Sequence, residues 1–303
     1  MSALASAAVS VAALLLAEPA SAPPAVVAPA PVVAPSAAPA LSTWLADAAG
    51  VVAFGEVHQD TATTSTRSAL ARFADDILPA LAPRASHLIV ETWMTTGACG
   101  KVETKVTEDI ARTTERPKET ESEIVRLLRH AKEAGVAPHV LAVTCDEYAS
   151  LTGGGKGKGK GKGTSKGVDY DRLLKLTEKH LETAIRQALL LPRTPERPLV
   201  LVYGGALHND LHPSRGLEAY AFGPAIFALE HGDYREVDLY VPEFVERLEA
   251  MRAEGWFEAW KAFGREGETV VVPRSDRSTI VVFPRSAAPP HPSPSPQRGD
   301  GIR

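Results

Sequence analysis

Residues 51–58, Val-Val-Ala-Phe-Gly-Glu-Val-His (VVAFGEVH), decide how the rest of the chain is read. Val51–Phe54 is a short, unbroken apolar run ending at Gly55, which suits a strand buried on both faces. Glu56 and His58 follow at once, so an acid and an imidazole stand at its carboxyl end. Three similar runs lie downstream. They are His87–Val90 (HLIV) ending at Glu91, His139–Thr144 (HVLAVT) ending in Cys145-Asp146-Glu147, and Leu199–Tyr203 (LVLVY) broken by Gly204-Gly205.

Helical periods separate these strands. Leu70, Phe73, Ile77 and Leu81 predict a helix over Thr61–Ala82, with Pro79 disturbing its last turn. Thr120-Glu121-Ser122-Glu123 has the form of a capping box, and Ile124, Leu127, Leu128 and Ala131 share one face until Gly135. Leu173, Leu174, Leu181, Ala184, Ile185 and Ala188 mark a long helix. Tyr234–Val241 alternates as a strand, and Pro242 opens a helix carrying Phe244, Val245, Leu248 and Met251 inward. Thr269–Val272 and Thr279–Phe283 predict a closing hairpin. The expected class is α/β: a mostly parallel central sheet flanked by helices, with a C-terminal β-hairpin. Thr92–Lys118 follows neither period and reads as an excursion near the site.

The chain has 303 residues, 33 Lys and Arg against 37 Asp and Glu, 44 % apolar residues and two Cys. It is too apolar for a disordered chain and too poor in cysteine for a disulfide scaffold. No apolar run is long enough for a transmembrane segment. Residues 1–22 resemble a signal peptide, with the apolar run Ala7–Ala17 and Ala20-Ser21-Ala22 in the form of a cleavage site. Residues 23–40 read as an Ala/Pro spacer, so export to a periplasmic or secreted location is expected. The Gly-Lys stretch at 152–167 is expected to be a disordered insertion, because it lacks both phosphate-loop signatures. Residues 285–303 form a Pro/Ser-rich tail. A single domain over 41–284 remains. Without these segments it holds 25 of the Lys and Arg and 35 of the Asp and Glu, a net charge of −10. That balance speaks against nucleic acid as a partner.

Ligands collect outside the carboxyl ends of parallel strands. Glu56 and His58, Glu91, Asp146 and Glu147, then Gly204-Gly205-Ala206-Leu207-His208-Asn209-Asp210 stand at those ends, with His212 beyond. Gathering so many polar groups at one point is costly unless they bind something or pair with one another. Asp146 also suits a plain helix-capping role. His130, His180 and His231 fall on helices or turns and are expected to be solvated.

Gly55, Glu56 and His58 after one strand, Glu91 after a second, and Gly205 with His208 after a late one resemble the ChaN/Tiki superfamily. That superfamily gathers ChaN-like haem-binding lipoproteins, Tiki metalloproteases and relatives of erythromycin esterase. The resemblance spans Val51 to Asp210 and implies hydrolysis of a small-molecule or peptide substrate with a divalent metal, Zn, Mn or Fe. His58, His208, Glu56, Glu91 and Asp210 are the ligands expected on that reading, with Glu56, His58, Glu91 and His208 catalytic. A metal-free esterase-like variant would use a His held by a carboxylate to deprotonate water. The ChaN-like branch implies haem instead, with Tyr203 and Tyr220 near the cofactor and Trp93, Met94 and Phe222 as wall. A thiol enzyme would use Cys145 with His58 or His208. Cys99 and Cys145 can equally form a disulfide, and spacing leaves both states open. No Gly-x-Ser-x-Gly occurs, which removes a serine nucleophile elbow.

Overall fold

The structure is a computed structural model. It describes residues 30–97, 99–100, 104, 106–110, 115, 117–151, 168–264 and 267–286. The expected signal peptide, the Gly-Lys insertion and most of the tail lie outside the described residues.

Eight strands form one sheet: β1 (Val32–Ala34), β2 (Val51–Glu56), β3 (Ala85–Thr95), β4 (Ala137–Val143), β5 (Leu199–Gly205), β6 (Tyr234–Tyr240), β7 (Thr269–Pro273) and β8 (Ser278–Val282). Their spatial order is β1-β7-β8-β6-β2-β5-β3-β4. Neighbours from β8 through to β4 run parallel, while β7 pairs antiparallel with both β8 and β1. The expected parallel centre and C-terminal hairpin are therefore both present. All six residues of β2 are buried, because helices cover both faces of the sheet.

The helices are α1 (Ala37–Trp44), α2 (Ala69–Arg72), α3 (Leu78–Leu81), α4 (Glu119–Glu133), α5 (Cys145–Ser150), α6 (Tyr170–Leu189), α7 (Gly223–Leu229), α8 (Pro242–Val245), α9 (Glu249–Arg252) and α10 (Gly255–Phe263). Val52, Phe54, Leu88, Val90, Leu201 and Tyr203 face one core with α1–α4, while Val51, Ala53, Ile89, Val200 and Val202 face a second core with α6 and α7. Successive strand residues point to opposite faces, so one apolar run feeds both cores. No helix among the described residues is long and apolar enough to cross a membrane.

Several local expectations give way to side-chain partners. The helix predicted over Thr61–Ala82 begins only at Ala69. Gln59 Nε2 holds the carbonyls of Thr63 and Thr66 at 2.7 and 2.8 Å, and Ser68 Oγ caps Ala71 N–H at 2.9 Å. A π turn, Phe73–Ile77, then joins α2 to α3. The capping box at Thr120 does not form: α4 starts at Glu119 after an uncapped Lys118, and Glu123 turns to Ser68 instead. The helix opened by Pro242 stops after one turn and resumes as α9. Residues of the expected spacer belong to the fold, since β1 pairs with β7 and α1 buries Ala37 and Leu41. Pro284 and Ser286, at the other boundary, accept and hold the Arg72 guanidinium.

Cys99 and Cys145 are joined, with Cα atoms 5.2 Å apart. The bond ties the exit of β3 to the first turn of α5 and removes the thiol-enzyme reading, because Cys145 has no thiolate to offer. Closing a loop with a sequence separation of 46 residues stabilises by about 4 kcal/mol in the chain-entropy account. Replacing both residues by Ser should lower the urea unfolding free energy by up to about that amount. Two alkylatable thiols in the unreduced protein would show that the bond does not form.

Beneath the loop after β5 lies a buried ionic network. Arg274 Nη2 reaches Glu236 and, at 2.9 Å, Asp238 Oδ2. Asn209 Nδ2 and Tyr240 OH also donate to Asp238, and the Leu211 N–H donates to Glu236. One guanidinium between two carboxylates leaves one charge unmatched. Glu236 is accordingly pushed up to about 8, chiefly by burial, with Asp238 adding to it against the pull of Arg274. The folded state holds this proton more tightly than the unfolded chain does. Its stabilising contribution is complete below the ordinary carboxyl value of 4.5 and lost as pH rises through about 8. The thermal midpoint should fall across that window, and Glu236→Gln should flatten the fall. A midpoint that rises with pH in both proteins would contradict the protonated state.

Candidate functional site

Strand β2 ends on Glu56, which is 8 % exposed. Each of its oxygens accepts a hydrogen bond: Oε1 from His58 Nδ1 at 2.8 Å and Oε2 from Tyr203 OH at 2.7 Å. A carboxylate can only accept here, so His58 Nδ1 is the donor of this bond and Nε2 is the ring nitrogen turned toward Glu91. Tyr203 is placed from below. Its ring packs against Phe73 at 4.7 Å, and Phe73 against Phe54 at 4.8 Å. The π turn that carries Phe73 therefore helps to aim the phenol.

Glu91 enters from β3. The β3–β4 register shifts between Val90 and Trp93, and this irregularity lies where Glu91 must be aimed at the cleft. Its Oε2 accepts the Gly205 N–H at 2.7 Å, and its Oε1 lies 4.0 Å from His58 Nε2. Strand β5 runs through Gly204 and Gly205 rather than breaking before them. Their missing side chains are what the site needs: a Cβ on Gly204 would lie 2.7 Å from Glu91 Oε2, and one on Gly205 3.0 Å from His58 Nε2. The sequence signal was present in the paired glycines, but it reads locally as a strand breaker.

The resulting narrow cleft is lined by Glu56, His58, Glu91, Tyr203 and Gly204 over apolar Leu70, Val90 and Ile124. An adjoining lobe that shares Glu56, His58 and Leu70 adds Gln59, Ser68 and Glu123. Glu123 is a residue the sequence reading assigned only to a cap. Burial pushes its carboxyl up, against the Ser68 hydrogen bond and Arg126, and Glu56 adds to the rise.

Glu56, His58 and Glu91 thus come together as expected. His208 sits in the loop after β5, 3 % exposed, with Nδ1 donating to the Tyr220 carbonyl at 2.7 Å. Asp210 accepts the His212 N–H in its own turn. Tyr203 is committed to Glu56, and the Tyr220 hydroxyl donates to Asp171 at 2.6 Å. Phe222 is core, Trp93 packs edge-on against Tyr148, and Met94 is exposed. Asp146 and Glu147 lie in the first turn of α5, where Glu147 completes a capping box with Thr144 and bonds Lys179. His180, expected to be solvated, packs 3.3 Å from Glu147. Among the described residues, no group of three His, Cys, Asp or Glu is disposed to hold a metal ion. His58 and Glu91 supply donors, but the other expected ligands are held by their own partners.

The chain matches no protein-family model, no curated protein and no solved structure at a significant level.

Gly204→Ala should force Glu91 aside and break its bond to Gly205. We expect a loss of about 1–3 kcal/mol in urea unfolding. In a Glu91→Asp background, where the shorter side chain leaves room, the cost should shrink. Equal costs in both backgrounds would show that Gly204 and Glu91 do not touch.

Proposed function

We propose that the cleft hydrolyses small esters, with His58 as the general base and no resident metal. The observation that supports this is the Glu56 carboxylate, which accepts from His58 Nδ1 and so turns Nε2 toward Glu91. Nε2 and Glu91 Oε1 are 4.0 Å apart. A water about 2.8 Å from each spans that gap and gives one hydrogen to each acceptor. Loss of a proton to Nε2 then turns the water into a nucleophile, and the carboxylates on either side offset the charge gained by the ring. The Cys99–Cys145 bond supports an exported, oxidising location. Tyr203 serves in this reading as the residue that positions Glu56, not as a haem neighbour.

A metal-dependent form of the same hydrolysis is the second reading, favoured by His58 Nε2 and Glu91 facing one another. It would use those two as ligands, and an additional donor would have to come from outside the described residues or from substrate.

Hydrolysis of 4-nitrophenyl acetate tests both. Wild type dialysed against EDTA should keep its rate. His58→Ala should lose at least about 100-fold in kcat, and Tyr203→Phe a smaller part. Unchanged turnover in His58→Ala would sink the proposal. Loss on EDTA treatment with recovery on adding zinc would select the second reading.

A further inference from the structure

We propose that Glu123 is the general acid of this site, giving a proton to the leaving oxygen while His58 acts on water; the assignment rests on the hydrolytic reading above. Glu123 reaches the cleft from the second turn of α4, whereas His58 comes from the exit of β2, so two remote elements supply the two ends of a proton path. Both line the same lobe with Glu56 and Ser68.

The hydrogen bonds distinguish the three carboxyl groups. Both oxygens of Glu56 accept, from His58 and Tyr203, so that group is taken up in holding the imidazole and the phenol. Glu91 Oε2 accepts a backbone N–H, and its Oε1 faces the imidazole. Glu123 differs. Ser68 Oγ accepts the Ala71 N–H as the cap of α2, which directs the hydroxyl hydrogen to Glu123 Oε2 at 2.6 Å. Oε2 is therefore an acceptor, and a proton on this group resides on Oε1. Half-burial beside Glu56 favours the protonated form.

The step balances without a co-reactant. Water forms a bond to the ester carbonyl carbon as His58 Nε2 takes one of its protons, and the carbonyl π pair moves to oxygen. On collapse the bond to the leaving oxygen breaks with its electron pair on that oxygen, and Glu123 supplies the proton. A carboxylic acid and an alcohol leave, and His58 and Glu123 regain their starting states by exchange with solvent.

Leaving-group dependence tests the role. Glu123→Gln keeps the volume and an acceptor for Ser68 but has no proton to give. Its kcat/KM should fall at least about 100-fold on ethyl acetate, whose alkoxide needs protonation. On 4-nitrophenyl acetate, whose phenolate leaves unaided, it should stay within about threefold of wild type. Glu123→Asp, which retains a proton, should recover part of the ethyl acetate rate. Equal losses on both esters, or no loss on either, overturn the assignment while leaving His58 as the base. Wild-type protein inactive on both esters overturns the hydrolytic reading and this assignment with it.

Discussion

A carboxylate at the end of a fully buried strand must find donors or cost several kcal/mol, and Glu56 finds one for each oxygen. That constraint organises the site. His58 is fixed by the donor it contributes, so its tautomer follows from Glu56 rather than from the imidazole itself. Tyr203 is fixed from the opposite side, because its ring belongs to the core and only its hydroxyl reaches the cleft. The apolar packing of Phe54, Phe73 and Tyr203 thereby sets where the Glu56 carboxylate is held. A shift in that stack would reach the imidazole through two hydrogen bonds.

Close approach is the second requirement. Glu91 and His58 can face one another only because β5 carries no side chains at Gly204 and Gly205, and because β3 shifts its register just past Val90. Both occur at the strand ends that open into the cleft; the glycines keep the regular register with β2, and the shift in β3 departs from it. A second register shift, between Ala85 and His87 where β3 meets β5, lies at the opposite end of that strand. The loop after β5 is held from beneath by Asp238 and Glu236, which grip Asn209 and Leu211. Arg274, from the turn between β7 and β8, neutralises only part of their charge. The C-terminal hairpin thereby takes a share in positioning the loop that carries His208.

Much of this architecture was legible in the chain. Four apolar runs, each followed by acids or imidazoles, were enough to predict a parallel centre and to place Glu56, His58 and Glu91 at one end of it, since strand direction alone dictates which residues emerge together. Helix starts were less legible. Thr120 has the residues of a capping box, but Glu123 has a competing partner 55 positions away in Ser68, and a local pattern cannot register that competition. Gln59 likewise holds the carbonyls of Thr63 and Thr66, so Thr61–Thr63 makes only a 3₁₀ turn and the α-helix starts later, although the apolar spacing beyond is helical. The expected ligands His208 and Asp210 stand at the proper strand exit, but side-chain direction depends on the Tyr220 carbonyl and on the His212 N–H.

The sequence by itself determined the class of fold, the end of the sheet at which Glu56, His58 and Glu91 gather, and the residue types available there, because each depends on periodicity and strand polarity. Tertiary structure alone decided that Cys99 and Cys145 are bonded, that Tyr203 serves Glu56, and that Glu123 enters the cleft. Those outcomes depend on contacts between residues 46 to 147 positions apart. No local spacing encodes such a contact; it exists only once the strands and helices have packed.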